Sequence, residues 1–130
     1  MTLPDHVLFL PGASGNVDFW RPVAARLPLA GRTVRHLGWP GFGPTPADPA
    51  VRSLADLAAR VEAMLDRPTA LVALLPWGDA DPWSPVAAGE WLAAAMPRAE
   101  LHVMAGGAHT FAMDSHAREV AARIEAWSSA

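Results

Sequence analysis

Val7–Leu8–Phe9–Leu10 is an unbroken apolar run, and Pro11–Gly12–Ala13–Ser14–Gly15 stops it at once. An apolar run this short, closed by turn residues, fits a parallel strand buried on both faces. Ala70 to Leu75 is a second fully apolar run of the same kind. Thr33 to Leu37 is strand-like but carries polar Arg35 and His36, and Glu100 to Met104 alternates. Helical patterns separate these runs. Phe19 to Leu27 places Trp20, Val23, Ala24 and Leu27 on one side. Ser53 opens the clearest helix, with Asp56 as its capping-box partner and Leu54, Leu57, Ala58, Val61 and Leu65 as its apolar stripe. Pro68 ends it. After a loop from Pro76 to Trp83, Ser84 and Pro85 suit an N-cap and first helical residue of a helix that halts before Pro97. Asp114 or Ser115 starts a last helix bearing Val120, Ile124 and Trp127.

Strand and helix thus alternate four times, which predicts an α/β fold: a doubly wound parallel sheet of four strands with helices on both faces. The all-apolar strands belong at the centre and the two with polar residues at the edges. Right-handed crossovers then give the order 2-1-3-4, numbering the strands along the chain. The Gly/Pro loop from Trp39 to Pro49 is too short to divide two cores, so residues 1–130 read as one domain.

Composition narrows the function. With 130 residues, 52% hydrophobic and 18% charged, the chain has enough apolar surface for a core. Its net charge is -3 and its ten basic residues are scattered arginines, which argues against a nucleic-acid partner. No apolar run approaches the roughly 20 residues of a membrane span, and Met1 to Leu10 lacks the pattern of a secretion signal. A cytoplasmic location is expected. Arginine without lysine, beside abundant alanine, suggests a GC-rich bacterial genome. Lack of cysteine removes disulfides, thiolate metal sites and Cys nucleophiles together.

In open parallel sheets, ligands bind at the carboxyl ends of the strands, near the point where strand order reverses. Three loops are expected there: Pro11 to Gly15, Gly78–Asp79–Ala80–Asp81 and Gly106–Gly107–Ala108–His109. A glycine-rich turn, a carboxylate and an imidazole would share one rim. Acid–base chemistry needs a histidine held in one tautomer by a carboxylate, and this set can supply it.

These residues resemble the α/β-hydrolase superfamily, in the style of bacterial esterases and C–C-bond hydrolases. Val7 to Leu10 with Pro11–Gly12–Ala13 is similar to the family's oxyanion loop, which implies that the backbone N–H of Ala13 faces a developing oxyanion. Trp39–Pro40–Gly41–Phe42–Gly43 is similar to its Pro-Gly-x-Gly turn. Gly78-x-x-Asp81 looks like the acid loop, making Asp81 rather than Asp79 the triad carboxylate. Gly106–Gly107–Ala108–His109 looks like the histidine loop, and acid before histidine agrees with the family's order. The motifs together span nearly the whole chain.

One departure sets the expected chemistry. The nucleophile elbow, Gly-x-Ser-x-Gly, is absent. Thr69 to Leu75 runs almost directly into Gly78 to Asp81, as if the elbow strand and the acid strand were fused and the cap removed. Loss of the serine alone from a Ser-His-Asp protease lowers kcat by about 10⁶. Weak or absent hydrolysis of small apolar esters or ketones is therefore expected, with His109 as base, Asp81 as its orienting partner and Ser14 or water attacking. Ser14 reads first as a turn residue. Gly12-x-Ser14-Gly15 is a partial echo of an elbow and keeps it a candidate nucleophile. The alternative is a catalytically silent remnant or engineered miniature, whose exposed apolar surface pairs with another copy or another protein.

Other features carry less. Neither Gly-x-Gly-x-x-Gly nor Gly-Lys-Ser/Thr is present, so no nucleotide cofactor is expected. His102, His109 and His116 are evenly spaced but fall on a strand, a loop and a helix, so no metal site is expected. Trp20, Trp77, Trp83, Trp91 and Trp127 read as core or rim packing. Trp39 and Phe42 read as contacts to a ligand or to a missing segment. Ser84 and Ser115 read as helix caps, and Ser128 and Ser129 as a fraying tail.

Overall fold

The computed structural model describes residues 3–12, 15–72, 76–82, 85–95, 101–109, 111–113 and 115–129. The first apolar run forms β1 (His6–Phe9), which lies between β2 (Thr33–His36) and β3 (Thr69–Val72) in a parallel ladder. The register pairs Val7 with Val34 and Ala70, and Phe9 with His36 and Val72. Side chains alternate along a strand, so these six share one face while Leu8, Arg35 and Leu71 share the other. Val7, Leu8 and Phe9 are all buried, as a central strand requires.

The first of those faces carries the core. Phe19 and Trp20, with Val23 of α1 (Arg21–Ala24), meet Val7 and Phe9 in one cluster. Val120 and Ala121 of α4 (Ala117–Ser129) join it, and α1 and α4 pack against each other. Trp20 is 1% exposed, stands edge-on to Phe19, and donates its Nε1–H to the Leu10 carbonyl at 2.6 Å. The expected helical face is present, yet only Arg21–Ala24 is helical. Pro22 suits a first turn, and Pro28 with the left-handed Gly31 turns the chain toward β2.

Among the described residues, three strands form a parallel ladder in the order 2-1-3, the first three places of the expected order 2-1-3-4. The fourth expected strand, β5 (His102–Met104), pairs in parallel with β4 (Pro76–Gly78), a segment read from sequence as loop. Proline is tolerated at the first residue of a strand, and the missing side chain of Gly78 lets β4 approach its neighbour closely. Met104, fully buried, ties this second ladder into the common core. Residues 73–75 lie outside the described residues.

Helix α2 (Leu54–Glu62) begins where its cap predicts. Ser53 Oγ accepts from the Asp56 N–H at 3.2 Å, while the Asp56 carboxylate accepts from the Arg52 N–H and the Ser53 hydroxyl. Its apolar stripe is another correction: none of its residues is buried, and Leu54 is 83% exposed. The tryptophans expected at core or rim divide. Trp20 is buried, but Trp91 of α3 (Val86–Ala95) and Trp127 of α4 are exposed. Trp83, Ser84 and Asp114 lie outside the described residues. The last helix starts at Ala117, later than expected, after a single 3-10 turn at Phe111–Met113. The helix runs through Ser129, and Ser128 and Ser129 donate their hydroxyls to the Glu125 carbonyl. Among the described residues, no helix is long and apolar enough to cross a membrane.

Candidate active site

Two loops leave the carboxyl ends of the adjacent strands β4 and β5, and backbone hydrogen bonds lace them together. The Asp79 N–H donates to the Met104 carbonyl, and the Ala80 N–H to that of Gly107, at 3.2 and 3.1 Å. The Asp79 carboxylate accepts from the Gly106 N–H at 2.6 Å. Gly78 and Gly107 touch backbone to backbone, since a Cβ on Gly78 would lie 1.9 Å from the Gly107 oxygen. Only glycine fits there.

This lacing sets Asp81 beside His109. The Asp81 Oδ2 lies 2.8 Å from His109 Nδ1, and the two side chains are 6% and 27% exposed. An ionised carboxylate only accepts, so Nδ1–H donates and Nε2 is the basic nitrogen of the neutral ring. A carboxylate held this far from water fixes ring orientation and tautomer. The neighbouring carboxylates therefore have separate work: Asp79 closes a turn and Asp81 orients an imidazole.

The loop after β1 is gripped by the segment that follows β2. Trp39 donates its Nε1–H to the Gly12 carbonyl at 3.0 Å and its backbone N–H to that of Gly15 at 3.1 Å. Gly15 has φ +66, and a Cβ there would meet the Phe42 ring at 2.6 Å. Trp39 and Phe42 thus clamp the first loop. Ala13 and Ser14, the expected oxyanion donor and candidate nucleophile, lie outside the described residues.

No family model, curated protein or solved structure matches this chain.

The evenly spaced histidines do not converge. His102 Nε2 meets Glu119 at 3.2 Å, while His116 Nε2 meets the Ala105 carbonyl at 3.0 Å. Ser115 Oγ lies 2.6 Å from His116 Nδ1, and the first hydrogen bond of α4 runs from the Val120 N–H to the His116 carbonyl. Among the described residues no group of three His, Asp or Glu side chains is placed to hold a metal.

Sequence reading missed His36. Its ring stacks on Phe9 at 4.8 Å, and its Nδ1 is buried with no hydrogen-bond partner. The signal was a lone histidine in register with a core phenylalanine. Burial lowers its pKa from 6.5, the Arg21 guanidinium adds to this, and Asp18 opposes it. As pH falls through 6.5 the unfolded chain takes the proton first, so the contribution to stability is complete above 6.5 and fades below it. His36→Phe is expected to stabilise the fold by about 1 kcal/mol and to flatten the fall in thermal midpoint between pH 7 and pH 5. An unchanged pH dependence would show that the ring does not titrate in this way.

Proposed function

We propose that Asp81 and His109 are an acid–base dyad in a reduced α/β-hydrolase-like domain that acts weakly on small apolar esters or ketones. What carries the reading is the 2.8 Å contact between a buried carboxylate and a partly exposed imidazole on adjacent loops. His109 Nε2 takes the proton from the attacking Ser14 hydroxyl or water as the new bond to the carbonyl carbon forms. It returns that proton to the leaving oxygen or carbon as the old bond breaks. The Ala13 N–H donates to the oxyanion. The four-strand order 2-1-3-4 belongs to this reading, supported by the parallel β4–β5 pairing and the core that Met104 shares with β1.

Incubation with a fluorophosphonate and turnover of p-nitrophenyl butyrate test it. Time-dependent labelling abolished by Ser14→Ala assigns the attack to Ser14. Hydrolysis without labelling, lost in His109→Ala, assigns it to water. Neither labelling nor hydrolysis in a folded sample rejects the dyad's catalytic role.

A second reading, self-association without chemistry, is favoured by the incompletely covered outer face. Leu71 is 44% exposed on it, and Leu54 projects from α2 at 83%. Sedimentation is expected to show a dimer that Leu71→Arg converts to monomer. A monomer at all concentrations rejects this reading.

A further inference from the structure

We propose that a cavity on the outer face of the three-stranded sheet binds a small monocarboxylate with an apolar body. The cavity measures about 320 Å³ and lies between Leu8 and Arg35 of the sheet and Met64 just beyond α2. That is near the lower bound of ligand pockets, which run from roughly 300 to 1,000 Å³. Thr33, at the start of β2, also lines it, and none of its lining residues belongs to the dyad loops. It is a separate site.

Its charges do not cancel. Asp66 and Arg67 line the cavity but neutralise each other through two hydrogen bonds of 2.9 and 2.6 Å. Arg35 makes no hydrogen bond or ion pair with any described residue, and so leaves one unbalanced positive charge on the wall. A guanidinium presents a planar fork that matches a carboxylate with two parallel hydrogen bonds. Beside it, Met64 offers a thioether surface over the buried Leu8, and thioethers adapt to irregular apolar ligands. A phosphate would need several donors converging on one point. One unpaired fork, with His6 and Thr33 beside it and Val7, Leu8, Ala63 and Met64 as the apolar part of the lining, suits one carboxylate on a short hydrocarbon body.

Hexanoate is the probe, with hexanol and inorganic phosphate as controls, followed by NMR of the Met64 methyl and the Arg35 amide. Hexanoate is expected to shift both signals to saturation. Hexanol and phosphate are each expected to bind at least about tenfold more weakly, the scale of one hydrogen bond to a charged group. Arg35→Gln should weaken hexanoate by about tenfold, and Met64→Glu, which sets a like charge in the cavity, should abolish binding. His109→Ala should leave binding unchanged, so that failure here and failure of the dyad reading remain distinct. The proposal is overturned if hexanoate does not saturate, if phosphate binds as tightly, or if both cavity variants, folded by circular dichroism, bind like the parent.

Discussion

His109→Ala is expected to reduce p-nitrophenyl butyrate hydrolysis to the rate in buffer, and Asp81→Asn to lower it by about 10²- to 10⁴-fold, the usual share of positioned acid–base catalysis. Asp81 lies 2.8 Å from Nδ1 and is nearly buried, so an amide there can turn its NH₂ toward the ring and hold the wrong tautomer. The control is Asp79→Asn. The Asp79 side chain accepts from the Gly106 N–H at 2.6 Å, and an amide oxygen can accept the same bond. That variant is expected to retain most of its rate. Initial rates of the three variants, with circular dichroism to confirm folding, decide the matter. If Asp81→Asn keeps its rate while Asp79→Asn loses it, the two carboxylates have been assigned the wrong way round. If none of the variants differs from the parent, whatever hydrolysis occurs does not pass through His109.

Some of this arrangement could be read before any coordinates. Four apolar residues closed by Pro11–Gly12 point to a central parallel strand, because the run is too short for a buried helix and ends in turn residues. Ser53 and Asp56 likewise mark the start of α2, since capping is local chemistry. The contact of Asp81 with His109 was legible only through paired Gly-containing loops after strands, with the family likeness choosing Asp81 over Asp79. Burial was less legible. The stripe on α2 is amphipathic in sequence, but burial depends on a partner surface, and no residue of that helix is buried against one. The strand at Pro76–Gly78 was missed because proline and glycine ordinarily break strands. Here the same two residues permit a strand start and a close approach. His36 was missed because an alternating edge strand does not reveal which of its faces meets the core.

Gly78→Ala is expected to cost about 3 kcal/mol of stability, at the upper end of the usual penalty for overpacking, and to break the dyad. The added Cβ would lie 1.9 Å from the Gly107 oxygen and 2.5 Å from its carbonyl carbon. Both are backbone atoms, so no rotamer change relieves the clash and the two loops must part. Parting them stretches the bond from the Ala80 N–H to Gly107 and carries Asp81, on the same loop, away from His109. Gly31→Ala is the comparison. Its φ is +79 and nothing lies within 4 Å of the new methyl, so only backbone strain applies, about 1–2 kcal/mol. Urea midpoints of both variants, read beside the His109 ring signals, separate packing from chemistry. Stability and the ring signals should both change in Gly78→Ala, while Gly31→Ala should change stability alone. A Gly78→Ala protein as stable as the parent, with unmoved His109 signals, would mean that the two loops do not meet backbone to backbone. The placement of Asp81 would then need another cause.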